Sequence, residues 1–332
     1  MDRDHFNQRH LLTLQAEEAR TNATLRAALG GGRPMVAYPT ADMVRSERDY
    51  QLRLAAVTAS DERLRGYAAV TASMGAGPTG RPPMYLMGID GADRAIIDTG
   101  NPDTAKNVAT MVTGLHTKTS GIGDDVTRAG RVREAAKKAG APETAVVTWY
   151  GYHAPQTPLQ ATDENYAEAG AGDLDTFQDG LRATHLGAPS LNTVLGHSYG
   201  TTTVGAAASG SHSLNADNVV FVASPGTTTS TVTDLHLDGS DPAQNGQHLF
   251  ATKAAADFVP LYGDVVGPLG LGMGPDPTAP FYGAHSFTSA DGGEGPGNML
   301  RNLDAHSGYW DPNSPSLKSM GMIVAGAGSA AQ

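Results

Sequence analysis

A serine stands at position 198 inside Gly-His-Ser-Tyr-Gly, residues 196–200, between the apolar run Leu191 to Leu195 and a run of small residues from Thr201 to Ser209. A serine hydroxyl becomes a useful nucleophile only when a histidine can take its proton and a carboxylate fixes that histidine's tautomer. The pattern suits a short strand, a sharp turn that lifts the hydroxyl clear of the backbone, and a helix packed closely on a sheet. Gly196 and Gly200 would then lie where a Cβ crowds the neighbouring chain. The competing reading is a small residue in a chain with 41 glycines among 332 residues, where Gly-x-Ser-x-Gly arises easily by chance. The flanking strand and helix therefore carry the claim.

On such a sheet the acid and then the histidine follow the serine in chain order. Asp257, in "ATKAAADFVPLYGD", comes just past a strand-like run at 248–254 and would face the same rim as Ser198. Asp264 follows as a competitor, and a turn-forming aspartate is the plainer alternative. Asp234, Asp238 and Asp241 sit in a polar loop. The histidines after the serine are His212, His236, His248, His285 and His306. His306, in "NLDAHSGYW", lies beyond the last strand candidate, "GAHSFTSADG", where a returning histidine loop is expected. His285 would open that strand and is assigned a structural role. An oxyanion needs backbone donors: the N–H of Tyr199, and that of Leu115 after Gly114 in the loop "VTGLHTKTSG". An ordinary tight turn is the alternative for Gly114.

The elements that must position these groups follow from periodicity. Residues 4–29 and 41–73 are rich in Ala, Leu, Arg, Glu and Gln and predict helices, with Thr40 as a possible N-cap, and "MGAGPTGRPP" then ends the helical pattern. Gly75, Gly77 and Gly80 have dinucleotide-fingerprint spacing, but helix precedes them and Pro82 and Pro83 follow, so the fingerprint is rejected. From Tyr85 short apolar runs alternate with helical segments at about 121–139, 164–184 and 200–209. The first two runs, separated by Asp90 to Asp93, predict a hairpin. The rest predict a mainly parallel sheet with helices on both faces.

The net charge of −11 and pI near 5.4 disfavour nucleic acid as a partner, and the absence of cysteine removes thiolate chemistry and cysteine-held metals. No apolar run is long enough to span a membrane, and "MDRDHFNQRHLL" lacks the order of a secretory signal, which leaves a cytoplasmic location or export by a non-Sec route. No cofactor or metal motif is found. Arg128, Arg131, Arg133, Lys137 and Lys138 are expected on a solvated helix face.

Taken in order, "GNPDTAKNVATMVTG", "VVTWYGYHAPQ", "GAGDLDTFQDGLRA", "LGHSYGTTTVG", "ASPG" and "AHSGYWD" resemble an actinobacterial family of α/β hydrolases long catalogued as a domain of unknown function. That family is often encoded beside or fused to WXG-type helical secretion modules. The resemblance runs from about Tyr85 to Gly326. It implies the α/β-hydrolase fold and a Ser–Asp–His triad carried onto Ser198, Asp257 and His306, and it implies no substrate. "ASPG", where a glycine is expected first, and "GDVVGPLGLGMGPDPTAP", in place of a helix, depart from the usual pattern and bear on the pocket's shape.

The expectation is therefore an N-terminal helical segment and linker, residues 1–80, followed by an α/β-hydrolase domain, residues 81–332. The helical segment is a candidate site for a partner. The activity expected is acyl-enzyme hydrolysis of a small-molecule carboxylic ester or lipid ester, bordered by the loops at 226–247 and 260–284. The alternatives are a catalytically inactive fold used for binding or secretion, a thioesterase or acyltransferase, and a cofactor-independent non-hydrolytic enzyme on the same fold.

Overall fold

The fold is taken from a computed structural model that describes residues 2–30, 41–75, 82–257, 273–290 and 305–331. Strands β1 (Met84–Ile89), β2 (Ala95–Thr99), β3 (Asn107–Val112), β4 (Thr144–Tyr150), β5 (Leu191–His197), β6 (Asn218–Val222), β7 (Leu249–Thr252) and β8 (His285–Ser286) form one sheet. Their spatial order is β1-β2-β4-β3-β5-β6-β7-β8. The predicted hairpin is β1–β2, antiparallel, and β2 runs antiparallel to β4. From β4 to β8 every pairing is parallel. All seven residues of β4 are buried, as are the central residues of β5, the continuous burial expected of parallel strands covered on both faces.

Helices α1 (Asp2–Leu29), α2 (Ala41–Met74), α3 (Ile122–Lys138), α4 (Asn165–Thr184), α5 (Tyr199–Ala207) and α6 (Pro315–Val324) supply that cover. On one face α4 and α5 bring Leu174, Leu181, Val204 and Ala207 against Val108, Val147, Trp149 and Phe221. On the other, α3 and α6 bring Val132, Ala136, Met320 and Ile323 against Met111, Val146, Leu195 and Val220. Every residue of α5 is buried. Its composition of Gly, Thr, Ala and Val follows from how closely it lies on the sheet: a Cβ on Gly200 would stand 2.2 Å from the Val112 carbonyl oxygen.

The two N-terminal helices close the antiparallel end. Tyr67 and Val70 of α2 join Leu11, Leu86, Ile97 and Ile122 in a third apolar cluster. The Asn7 amide donates to the Leu86 carbonyl (2.9 Å), and the Leu86 N–H donates to Asp4 (2.8 Å), so α1 is stitched to the outermost strand. Polar contacts also join α1 and α2: Asn22 to Ser60 at 3.0 Å, Arg63 to Glu18 and Arg26 to Asp61. Phe6, Leu12 and Leu52 point into solvent.

Two expectations need correction, and one helix adds to them. The last strand is far shorter than "GAHSFTSADG" suggested, two residues paired to β7. Lys137 and Lys138 are exposed, but Arg131 and Arg133 are not simply solvated. Their long side chains reach back to donate to the carbonyls of Trp310 (3.1 Å) and Thr144 (2.8 Å). Helix α6 has no counterpart in the sequence reading. Thr40, Gly77, Gly80, Asp264 and residues 260–272 of the expected rim loop lie outside the described residues. No helix among the described residues is long and apolar enough to cross a membrane.

Candidate active site

Ser198 sits between the end of β5 and the first residue of α5 with φ 55° and ψ −132°. A side chain with positive φ outside the ordinary allowed regions costs on the order of 1–3 kcal/mol and persists only where the surroundings enforce it. Those surroundings are specific. The Ser198 N–H donates to the Val222 carbonyl at the end of β6 (2.9 Å), and the Ser198 carbonyl accepts from both the backbone and the hydroxyl of Thr201, at 2.9 and 2.7 Å. The Thr201 hydroxyl also meets that of Ser224 (2.7 Å), which accepts from the Gly226 N–H (3.0 Å). The turn is thus held from β6 and from the loop after it.

His306 and Asp257, 49 residues apart in sequence, meet on the same rim. The His306 Nδ1 lies 3.0 and 2.9 Å from the two carboxylate oxygens of Asp257, whose side chain is fully shielded from solvent while that of His306 is 16% exposed. An Nδ1–H facing a carboxylate leaves Nε2 as the proton acceptor, the tautomer a general base needs. The Tyr309 hydroxyl donates to Asp257 (2.8 Å) and accepts from the Ala254 N–H (2.7 Å). Burial, together with the nearby Asp257 charge, pushes the Tyr309 hydroxyl far above the usual phenol range, so it stays a donor. The ring of His197, the residue before Ser198, lies against that of His306 with centroids 4.9 Å apart.

Of the two expected oxyanion donors, Leu115 follows the end of β3 and Tyr199 opens α5 just past the end of the adjacent β5. A Cβ on Gly114 would stand 2.6 Å from the Tyr199 nitrogen, so only glycine lets this loop come so close to the start of α5. The Gly114 carbonyl accepts from the Thr117 hydroxyl (2.6 Å), and the His116 N–H donates to Pro155 (2.9 Å) with His116 itself at φ 65°. No backbone carbonyl among the described residues takes the N–H of Leu115 or Tyr199. The Tyr199 ring runs the other way, its hydroxyl donating to the Asp163 carbonyl and accepting from the Ala167 N–H (3.2 Å).

The remaining candidates lie elsewhere. His285 opens β8, its ring set edge-on to Phe250 and its Nε2 3.1 Å from the Ala331 carbonyl. His212 pairs with Asp175 (3.0 Å), and His248 meets the Asp217 carbonyl (2.9 Å). Asp234 and Asp241 cap short turns of their loop, and Asp238 accepts from Ser213. The described parts of the two rim loops are joined to each other: Tyr282 meets Thr227 (2.7 Å) and Thr229 (2.9 Å), and the Thr228 N–H donates to Met273 (2.6 Å). Among the described residues no group of three or more His, Asp or Glu could hold a metal ion.

Residues 90–265 match a family model described as alpha/beta hydrolase, a span of more than half the chain. The chain belongs to the alpha/beta hydrolase family. An uncharacterized protein of Mycobacterium tuberculosis (strain ATCC 25618 / H37Rv) is 34% identical over 273 residues, covering 76% of this chain and 41% of that relative. An uncharacterized protein of Mycobacterium bovis is 29% identical over 177 residues, covering 51% of this chain and 65% of its own length. The chain thus spans about two-fifths of the length of its M. tuberculosis relative. Similar solved structures include the esterase LipW from Mycobacterium marinum, at 14% identity and TM-score 0.40 over 92% of this chain and 95% of that one. An arylesterase is similar at 11% identity and TM-score 0.41 over 81% and 92%.

Two site residues escaped the sequence reading of this alpha/beta hydrolase. Tyr309 donates to Asp257, and a tyrosine three residues after the candidate base was the available signal. His197 occupies the first variable position of Gly-x-Ser-x-Gly, and no local pattern announces a partner 109 residues away.

Proposed function

We propose that this chain is a serine hydrolase of the acyl-enzyme type acting on a carboxylic ester, with Ser198 as nucleophile, His306 as general base and Asp257 as its orienting acid. The observation that carries this reading is the shielded Asp257–His306 pair on the same rim as a serine held at φ 55° between a strand and a helix. In this mechanism the Ser198 Oγ attacks the acyl carbonyl while its proton passes to the His306 Nε2. The N–H groups of Leu115 and Tyr199 receive the oxyanion. The tetrahedral adduct collapses by expelling the alcohol, which takes the proton back from His306. Water, activated by the same imidazole, then attacks the acyl-serine, releasing the acid and restoring the hydroxyl.

N–H donors aimed at a developing oxyanion and a serine nucleophile suit acyl transfer, and a carboxylic ester, lipid esters included, is the substrate class this reading adopts. The loops at 226–247 and 260–284 would border the acyl chain. A partner would dock on the N-terminal helices, which expose Phe6 and Leu12 toward one end of the pair and Leu52 toward the other.

The test is labelling of the intact protein by a fluorophosphonate and hydrolysis of p-nitrophenyl acetate, each compared with Ser198→Ala. The expected outcome is loss of the label and a fall in kcat of on the order of 10⁴-fold or more. A folded Ser198→Ala protein with unchanged turnover overturns the assignment.

A further inference from the structure

His197 is the last residue of β5 and the chain neighbour of Ser198, yet its side chain turns toward a distant segment. Its Nε2 lies 2.9 Å from the backbone carbonyl of His306. A carbonyl only accepts, so the His197 hydrogen is on Nε2. The ring rests against the His306 imidazole at a tilt of 34°, and the edges of Tyr309 and Trp310 frame it at centroid distances of 6.2 and 5.9 Å. His306 is consequently held at two points: its ring by Asp257 and its main chain by His197.

The charged and titratable groups around this imidazole agree on its state. Burial acts first, then the His306 ring, then Arg128 reaching across from α3, and together they hold His197 well below the usual histidine range. Arg128 is itself paired with Asp125 (2.7 Å), Tyr309 stays neutral, and Asp257 faces the other edge of His306. His197 therefore stays neutral beside His306 and does not compete for the proton taken from Ser198. A permanently charged side chain at 197 would oppose the imidazolium that forms on His306.

The need for such a tie follows from where His306 sits. Its described neighbours, 305–307, are helical and lead into a 3₁₀ turn at Gly308–Trp310, and none of them belongs to a strand of the sheet. A segment outside the sheet has no strand ladder to hold it and draws its position from tertiary contacts. We propose that His197 is a positioning residue that fastens the segment bearing the general base to the strand bearing the nucleophile, through its Nε2–H bond to the His306 carbonyl and its ring contact.

This inference rests on the Ser198–His306 reading, and the experiment separates the two. Full-length wild type, Ser198→Ala, His197→Phe, His197→Met and His197→Gln are compared by fluorophosphonate labelling, kcat and KM for p-nitrophenyl acetate, and melting temperature. Displacement of a catalytic group by about 1 Å costs about a hundredfold in rate, so the donorless Phe and Met variants are expected to lose between about tenfold and a hundredfold in kcat with KM within about twofold of wild type. Gln, whose amide can donate to the same carbonyl, is expected to recover kcat to within about threefold of wild type. A merely structural role would lower kcat of all three variants in step with melting temperature, and that result overturns the proposal. So does a folded Phe or Met variant with wild-type kcat. If wild type is unlabelled, or Ser198→Ala retains turnover, the hydrolase reading itself fails and this inference goes with it.

Discussion

Asp257 and Asp98 are both buried aspartates at strand ends of one sheet, and they are treated in opposite ways. Asp257, past the end of β7, receives the Nδ1–H of His306 and the hydroxyl of Tyr309. Asp98, on β2 between Tyr85 of β1 and Val147 of β4, has no hydrogen-bond partner for either carboxyl oxygen among the described residues. Burial drives the Asp98 carboxyl well above the usual range, with Asp103 adding to the effect, so it is held in its neutral form. A buried acid surrounded by aimed donors can serve as a fixed negative anchor for a proton relay. One without donors is neutralised and cannot serve as such a negative anchor.

The most severe way to break this contrast is to remove the acceptor where donors converge. Asp257→Asn keeps the shape but cannot fix the His306 tautomer in the same way, and kcat for p-nitrophenyl acetate is expected to fall on the order of 10⁴-fold with the fold retained. His306→Gln should match that loss and abolish fluorophosphonate labelling, whereas His285→Gln, which disturbs only the contacts to Phe250 and Ala331, should keep most of both. Loss in His285→Gln with activity retained in His306→Gln would reverse the assignment of the base.

What sequence could and could not announce follows from the range of the forces involved. The turn at Ser198 was legible because its demands are local: an apolar strand before it, glycines beside it and small residues after it, all within twenty positions. The parallel strands were legible because burial on both faces leaves continuous apolar runs, as in β4 and β5. The shortness of β8 was not, since "GAHSFTSADG" has strand-forming residues whose pairing is decided by β7 and by the segment at 273–282. The polar ties from His197 to His306 and from Tyr309 to Asp257 close chain separations of 109 and 52 residues. Nothing in the local pattern encodes them. The same holds for the stitching of Asn7 and Asp4 to β1 across about 80 residues, which no helical periodicity implies.

A gentler break is to give Asp98 the neutrality it already adopts. In the folded chain its carboxyl binds a proton that the unfolded chain releases above the ordinary aspartate range, so wild-type stability declines as pH rises past that range. Asp98→Asn removes this term. The variant is expected to melt at least about 2 °C above wild type at pH 7, the shift produced by about 1 kcal/mol in a domain of this size, and the gap should close near pH 3.5. A variant that melts lower at pH 7 would show that Asp98 has a donor and belongs with Asp257.

The smallest expected effect comes from a third carboxylate, Glu18 of α1, which has donors but keeps some contact with water. It accepts two bonds from the Arg63 guanidinium (2.9 Å each) and one from the Ser60 hydroxyl, and its side chain is 13% exposed. The Arg63 hydrogen bond is the main reason that its acidity is strengthened, outweighing the effect of burial. A lowered value in the folded chain means stability that is present above the ordinary glutamate range and lost as pH falls through the folded value, the reverse of Asp98. Glu18→Gln should therefore lower the melting temperature at pH 7, by an amount corresponding to about 1 kcal/mol or less for a pair near the surface. Added salt should shrink the difference, and the wild-type advantage should vanish on acidification below the glutamate range. Measured side by side, the two neutral variants should shift the melting temperature in opposite directions at pH 7 and converge on wild type in acid. Shifts of the same sign would mean that the α1–α2 pair and the buried β2 acid are not governed by the donors each one has.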